Sequence, residues 1–158
     1  MFVCIAMASL VIAGCAPVIP SRALKEVDQS LSFERLLENP ETHKGKTVLL
    51  GGTIIDTRNP PDRTSIIVLQ RPLGFRNKPT SEDIFRGRFI LYVAGFFDPV
   101  IYHPGREITV VGSVLGKEVR FLGEIEYTYP VIEKKELYLW PATEYMPMHF
   151  GVAVGAGF

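Results

Sequence analysis

Near the amino terminus, one cysteine stands where its thiol could be joined to a lipid. An uncharged apolar run from Met1 ends in Ile12-Ala13-Gly14-Cys15, and a polar stretch containing Pro17 follows directly. An apolar run of about 14 residues is too short to span a bilayer as a helix, but it has the length of the hydrophobic region of a secretory signal. The sequence therefore predicts export of the chain.

The four residues Ile12-Ala13-Gly14-Cys15 resemble the lipobox of bacterial lipoproteins, in which an aliphatic residue, two small residues and a Cys are read by lipidating and cleaving enzymes. Cleavage between Gly14 and Cys15 would remove residues 1–14 as a signal peptide, and Cys15 would carry the acyl chains. Residues 15–30 would then form a lipidated tether. The alternative is an apolar amino terminus that happens to contain a Cys, and the absence of Lys and Arg from the run leaves that alternative open.

Attachment to a lipid bilayer is expected through these acyl chains. The cysteines are Cys4 and Cys15, so removal of Cys4 with the signal and acylation of Cys15 would leave no disulfide in the mature chain. No other uninterrupted apolar run approaches the roughly 20 residues of a membrane-spanning helix. The remaining chain is long enough for one domain with its own hydrophobic core.

Charge argues against nucleic acid as a partner and leaves anionic lipids open. Lys and Arg number 17, and Asp and Glu also number 17, whereas phosphate binding needs a basic surface. A local basic excess is formed by Arg58, Arg63, Arg71, Arg76, Lys78, Arg86 and Arg88. We expect a solvated loop face or, centred on Arg86 and Arg88, contact with an anionic phospholipid or glycolipid head group.

No pattern typical of an enzyme or a metal site occurs in the sequence. The three histidines, His43, His103 and His149, lie in separate segments without a metal-binding spacing. No serine stands in a G-x-S-x-G setting. We therefore predict no catalytic residue, no metal and no cofactor.

Asp98 is the carboxylate most worth following. It precedes Pro99 and is expected to form an Asx turn. The alternative is an ion pair with Arg88 or Arg106 that shapes a binding pocket. Nearby aromatic side chains are expected mostly in the core, with a stacking platform for a ligand as the alternative.

The elements predicted from the pattern are mostly strands. Ser32 is a suitable N-cap for a short helix over residues 33–37 that ends before Pro40. Gly51-Gly52 lies inside the first strand and indicates a bend or bulge. The predicted strands are 46–58, 64–70, 88–94, 107–115, 119–129 and 136–140. Such strands predict a mainly β domain over residues 31–140, a small closed or partly closed antiparallel barrel.

A Gly-rich apolar tail covers residues 141–158 and carries no charge after Glu144. We expect it to lie against the barrel or to be disordered beyond it. A role facing the membrane or a partner is the alternative.

Short blocks along the chain are similar to one known family. They are Lys46-Thr-Val-Leu-Leu-Gly-Gly-Thr-Ile, Leu69-Gln-Arg-Pro-Leu73, Gly95-Phe-Phe-Asp-Pro99, Pro104-Gly-Arg106, Thr109-Val-Val-Gly112 and Tyr138-Leu-Trp140. In this order, behind a lipobox, they resemble the Slp family of starvation-inducible outer-membrane lipoproteins over nearly the whole chain. The resemblance implies anchoring in the outer membrane on its periplasmic side. It also implies a barrel similar to the oligonucleotide/oligosaccharide-binding (OB) fold, and it brings no catalytic residues.

Two functions follow from these expectations. The first is a non-enzymatic lipoprotein that presents a loop face or an edge to another component of the envelope, such as a protein or a glycolipid. The second is a binding protein that holds an oligosaccharide, a lipid or another small envelope ligand in the barrel mouth. The candidate binding residues are Arg86, Arg88, Asp98 and Arg106. The oligomeric state is left open by the sequence.

Overall fold

The computed structural model describes residues 17–142, so the predicted signal peptide, the lipobox and most of the predicted tail lie outside the described residues. Within this range, no helix is long and apolar enough to cross a membrane. The elements in chain order are α1 (Ser21–Lys25), α2 (Phe33–Glu38), a 3-10 turn (Pro40–His43), β1 (Thr47–Arg58), β2 (Arg63–Gln70), a second 3-10 turn (Phe75–Asn77), β3 (Arg88–Ala94), β4 (Glu107–Leu122) and β5 (Ile125–Leu139).

The five strands close into a ring in the order β1-β2-β3-β5-β4, with β4 returning to β1. The prediction of a mainly β, closed sheet is confirmed. The prediction that it is antiparallel throughout is wrong, because β3 and β5 pair in parallel while the other four pairings are antiparallel. Strand directions can alternate around a closed ring only if the number of strands is even, so five strands require at least one parallel pairing.

The predicted short helix before the sheet is confirmed as α2. The Ser32 hydroxyl accepts a hydrogen bond from the Arg35 backbone N–H at 3.4 Å, as expected of an N-cap. The helix buries Phe33 and Leu36, and the Phe33 ring meets the Phe89 ring edge-on. Helix α2 therefore packs against the core of the ring.

The three strands predicted over 107–115, 119–129 and 136–140 are two in the structure, β4 and β5, so the predicted strand 119–129 wrongly spans the turn between them. The expected turn at residues 116–118 is absent from the described chain, because β4 runs through Gly116 with a bulge between Val114 and Gly116. The chain reverses at Gly123 instead, where φ is +64°. A bulge absorbs an extra residue without ending the strand. Gly116, whose residue type suggested a turn, therefore lies inside a continuous strand.

Close packing, and not a bulge, explains the glycine pair in β1. The register shift in β1 lies between Ile54 and Asp56, beyond the glycines. A Cβ atom on Gly52 would overlap the backbone carbonyl of Leu69, and one on Gly51 would overlap the Leu73 side chain. Backbone therefore excludes a side chain at Gly52, whereas at Gly51 the Leu73 side chain would have to move.

The inside of the ring is filled by apolar side chains. The fully buried members with the largest volumes include Phe89, Ile54, Ile66, Leu91 and Ile108. They form one cluster together with α2. A ring filled in this way holds side chains and not a ligand.

Candidate functional site

The outer face of β1 and β4 carries the groups from which the candidate site is built. Alternation along a strand sends neighbouring residues to opposite faces. The outer row of β1 consists of Leu49, Gly51 and Thr53, and its partners on β4 are Val111, Thr109 and Glu107. We call these six positions the outer face.

The amino-terminal segment covers the first part of the outer face. Ile19 and Ala23 are buried against Val111, with Leu49 packed beside them. Residues from Val18 onward in the predicted tether are therefore fixed on the sheet, because their apolar side chains find a partner surface there. Sequence periodicity over so short a segment gives little sign of this packing.

A loop after β2 covers the middle of the outer face. The Thr109 hydroxyl donates a hydrogen bond to the Asn77 carbonyl at 2.6 Å, and the Trp140 indole N–H donates to the same hydroxyl at 2.9 Å. Arg76 and Asn77 adopt left-handed backbone with φ of 57° and 60°, which is uncommon outside glycine. We call residues 71–80 the covering loop.

The last part of the outer face is open and forms a pocket of about 360 Å³. Its lining includes Thr53, Arg71, His103, Arg106 and Glu107. We call it the basic pocket. It lies beside the carboxyl end of the described chain, since Pro141 and Ala142 also line it.

The charges around the basic pocket do not balance. The nearest approach of Arg71 to the Glu107 carboxylate is 3.9 Å, and Lys78 approaches the other carboxylate oxygen at 3.7 Å. Both are ion pairs at long distance, without the geometry of a hydrogen bond. Arg106 is a further cation in the lining of the pocket. The pocket therefore carries excess positive charge.

The two arginines of the basic pocket are held in place without being saturated. Arg106 donates to the Trp140 carbonyl at 2.8 Å and to the Ile101 carbonyl at 3.2 Å, while Arg71 donates to the Thr80 carbonyl at 3.2 Å. The Nε atoms of Arg71 and Arg106 are buried and have no hydrogen-bond partner among residues 17–142. A buried unpaired donor is costly, and both arginines also line the basic pocket.

Arg86 and Arg88 lie elsewhere, beside α2 and β5. The Arg86 guanidinium forms an ion pair with Glu34 at 2.5 Å. The Arg88 backbone N–H donates to the Tyr127 hydroxyl at 2.9 Å. The basic excess predicted from sequence is thus divided, and part of it is neutralised by local carboxylates.

Asp98 forms a turn. Its carboxylate accepts the Val100 backbone N–H at 2.8 Å, and its carbonyl accepts the N–H groups of Ile101 and Tyr102. Among residues 17–142, no ion pair joins Asp98 to Arg88 or Arg106. The four candidate binding residues therefore do not converge on one site, and only Arg106 lines the basic pocket.

A second polar cluster links the ring to the end of the β4–β5 hairpin. The Tyr92 hydroxyl donates to Glu118 at 2.5 Å, and Arg120 donates to the other oxygen of Glu118 at 2.7 Å. Burial raises the pKa of Glu118, but hydrogen bonds from Arg120 and Tyr92 outweigh it and leave that pKa below its ordinary value. The Arg63 guanidinium lies 4.0 Å from the centre of the Tyr92 ring, a cation–π contact.

Catalytic and metal chemistry gain no support from the described residues. No three His, Cys, Asp or Glu side chains within residues 17–142 are grouped so that they could hold a metal ion. Gly14 and Cys15 lie outside the described range, and their roles stay predictions.

Sequence reasoning missed the other charged residues at the basic pocket. Arg71 and Lys78 appeared only as members of a basic stretch, and Glu107 appeared only as the start of a strand. Strand alternation places Thr53 and Glu107 on one face once their register is known. That register, and the path of the covering loop, are tertiary information.

A family model described as "Outer membrane lipoprotein Slp family" matches residues 12–154. The chain belongs to this family. Slp family membership confirms the resemblance read from the sequence blocks and makes the chain an outer-membrane lipoprotein.

Relatives of this Slp family member include proteins of two bacteria. An "Uncharacterized protein" of Haemophilus influenzae is 34% identical over 80% of this chain and 69% of its own length. In Escherichia coli, "Uncharacterized lipoprotein YeaY" is 26% identical over 89% of this chain and 72% of its own length. "Outer membrane protein Slp" of Escherichia coli is 24% identical over 86% and 72%, respectively.

Among solved structures, Schizosaccharomyces pombe Pot1pC bound to ssDNA is similar with a TM-score of 0.31 and 8% identity. The match covers 65% of this chain and 83% of that one. A likeness at this level has no bearing on what the Slp family member binds.

Proposed function

We propose that acyl chains on Cys15 anchor the protein to the outer membrane on its periplasmic face, and that the barrel serves as a non-enzymatic interaction module of the envelope. The lipobox residues and the Slp family match support the anchor. Cys15→Ser is expected to prevent acylation and leave an unprocessed precursor, detected by mass spectrometry of the amino terminus. A free Cys15 in the wild-type protein would contradict the anchor.

We also propose that the barrel is OB-like. The OB-fold is a five-stranded Greek-key barrel whose surface and loops bind ligands. The strand order of this ring and its filled interior support this assignment. A filled interior disfavours a ligand inside the barrel and directs the search for binding to its outer surface.

The proposal of an interaction module is supported best by the end of the β4–β5 hairpin. Residues 117–122 and 125–130 pair with each other and extend past the pairing of β4 with β1 and of β5 with β3. We call them the projecting hairpin. Val119 and Phe121 are 50% and 72% exposed, and they share one face because they are two residues apart.

Exposed apolar side chains on a rigidly held hairpin are suited to binding a protein partner. On the opposite face of the projecting hairpin, Tyr92 and Arg120 hold Glu118 in place. Binding of a partner would therefore order little additional chain and cost little conformational entropy. Exposed aromatic side chains are frequent among the anchors of protein interfaces. The partner is expected to be an envelope protein with an apolar surface of its own.

Site-specific photocrosslinking in intact cells tests whether the projecting hairpin binds an envelope protein. A photoreactive residue in place of Phe121 is expected to capture a defined envelope protein, whereas one in place of Phe96, which is also 72% exposed, is not. The double variant Val119→Ser with Phe121→Ser should lower the affinity between the two purified proteins. It should still fractionate with the outer membrane as the wild type does. Equal capture from both positions, or an affinity unchanged by the two serine substitutions, would contradict binding by the projecting hairpin.

The basic pocket supports a second candidate function, binding of a small anionic ligand. Arg71 and Arg106 line a cavity of about 360 Å³, whose lining in the described chain contains one carboxylate, that of Glu107. Arginine is suited to phosphate and carboxylate groups because its donors form a planar fork. The ligand class is a phosphorylated or acidic oligosaccharide or lipid head group.

Two double variants separate the pocket from the predicted binding residues near α2. Binding of lipopolysaccharide and of inorganic phosphate is titrated for Arg71→Gln with Arg106→Gln and for Arg86→Gln with Arg88→Gln. The first pair is expected to lose most of the affinity and the second to retain it. The reverse result would move the site to Arg86 and Arg88, and binding unaffected by either pair would exclude both.

A further inference from the structure

An exposed aromatic side chain lies beside the point where the lipid anchor joins the folded chain. Phe75 is 89% exposed, the largest fraction among the exposed large apolar residues of the described chain. It lines a mostly apolar cleft of about 260 Å³ together with Pro17 and Val18. Phe75 and the start of the amino-terminal segment thus share one side of the molecule.

The anchor leaves little freedom between the membrane and this side. Ile19 is only 1% exposed and is packed with Val18 and Val111, so the chain is fixed from Val18 onward. Three residue steps separate Cys15 from Val18, and extended chain advances at most about 3.6 Å per residue, or about 11 Å in total. An acylated Cys15 at head-group depth therefore holds Val18 and its neighbours at the bilayer surface.

The covering loop is built so that Phe75 points outward. The Gly74 N–H donates to the Lys78 carbonyl at 2.8 Å, and the Lys78 N–H donates to the Phe75 carbonyl at 3.1 Å. The next residue, Arg76, adopts the left-handed backbone described above. Left-handed non-glycine residues persist where the surrounding structure enforces them, and they cluster at functional positions. The exposure of Phe75 is therefore a property of a constrained turn.

The charge of the covering loop matches an anionic membrane surface. Residues 71–80 contain Arg71, Arg76 and Lys78 and no Asp or Glu. Glu107 of β4 lies near Arg71 and Lys78, and the loop together with this carboxylate still carries net positive charge. An aromatic side chain at the apolar boundary with basic residues beside it is the arrangement by which peripheral segments bind bilayers. A protein partner at this place would have to fit between the domain and the membrane that holds it.

We propose that the covering loop is a second membrane contact, in which Phe75 inserts into the inner leaflet of the outer membrane and the side chains of Arg76 and Lys78 face phospholipid head groups. This inference rests on the proposed acylation of Cys15. It fixes the orientation of the domain: the outer face lies toward the bilayer. The basic pocket, which continues that face, then opens near the head groups.

The chemistry of the anchor supplies a direct test. In the mature acylated chain, Cys15 is blocked and Cys4 has been removed with the signal, so Phe75→Cys introduces a single reactive thiol for a nitroxide label. Phe121→Cys is the matched control, because Phe121 is a phenylalanine with 72% exposure on the projecting hairpin. The labelled, acylated chains are incorporated into vesicles of phosphatidylethanolamine with a minority of phosphatidylglycerol.

The label at position 75 is expected to lose accessibility to a water-soluble nickel complex severalfold on vesicle binding and to gain accessibility to oxygen, whereas the label at position 121 is expected to change little. If the label at 75 is no better protected than the label at 121, the membrane contact is wrong. Flotation of the vesicles and mass spectrometry of the amino terminus report the anchor separately. Bound, acylated protein with an unprotected label would overturn the contact while leaving the proposed anchor intact.

Discussion

The two halves of the β4–β5 pair differ sharply in the exposure of their apolar side chains, although the same two strands form both halves. Inside the ring, Ile108, Val110 and Ile132 are fully buried. In the projecting hairpin, Phe121 and Ile125 are each 72% exposed, whereas Tyr129 is buried against Ile90 of β3. Amino-acid composition hardly distinguishes the halves, since both are rich in apolar and β-branched residues. The difference teaches that neighbouring strands, and not the strand sequence, decide whether an apolar side chain stabilises the fold or stands ready for a partner.

The largest effect expected from this comparison comes from two isoleucines of β5. Ile132→Ala should lower the free energy of unfolding by about 2–5 kcal/mol, because it leaves a cavity in the core. Ile125→Ala, at an exposed position, should change it by no more than about 0.5 kcal/mol. Chemical denaturation of both variants measures the difference. Equal losses would mean that the projecting hairpin is part of the cooperative core.

Glycine substitutions sharpen the comparison at smaller amplitude. Gly52→Val should destabilise the ring by about 1–3 kcal/mol, because the added side chain meets the Leu69 backbone. In the hairpin, a Cβ atom on Gly123 has open space around it, and Asn tolerates its left-handed backbone. Gly123→Asn should therefore cost about 0.5 kcal/mol or less. An unchanged denaturation midpoint for Gly52→Val would refute the close approach.

The link between the two halves can be weakened at Tyr92. Tyr92→Phe removes the hydrogen bond to Glu118 and should cost about 1 kcal/mol or less. The pKa of Glu118 should rise in the variant, since one of the bonds that lower it is lost. A lowered carboxylate pKa stabilises the fold above the unfolded value, here the ordinary 4.5, and that stability is lost as pH falls. The deficit of Tyr92→Phe should thus shrink in acid, as NMR titration and denaturation at several pH values can measure.

The smallest effect concerns the attachment of the amino-terminal segment to the ring. Hydrogen bonds from Ser30 and Lys46 lower the pKa of Asp28 from 3.8 to about 2, and the Lys46 ammonium lies 2.9 Å from its carboxylate. This contribution is present above pH 3.8 and is lost as pH falls toward 2. Asp28→Asn should therefore flatten the acid dependence of stability within that window. Identical acid profiles for variant and wild type would show that Asp28 does not couple to folding.

Much of the fold was accessible from local chemistry. The Ser32 cap, the strands that became β1 to β3 and the mainly β class follow from side-chain types and their alternation. The error at residues 116–118 had a physical cause, because a glycine in a bulge and a glycine in a turn have the same composition. Only cross-strand pairing distinguishes the two.

The candidate site was accessible only in part. Arg106 was singled out from sequence, yet Arg86, Arg88 and Asp98 are held by partners in other places. Arg71 and Lys78 reach Glu107 because the covering loop folds back over β1 and β4. Nothing in the spacing of residues 71, 78 and 107 predicts that meeting.

The sequence by itself determined the family and the prevalence of strands, and it predicted the lipobox, because these depend on residue types at short spacing along the chain. The tertiary structure alone decided that residues after Pro17 pack on the sheet, that the ring contains one parallel pair, and that Phe75 stands beside the start of that packed segment. Each of these depends on contacts between residues far apart in the chain. Such contacts are chosen by closure of the ring and burial of its apolar faces, which no local pattern encodes.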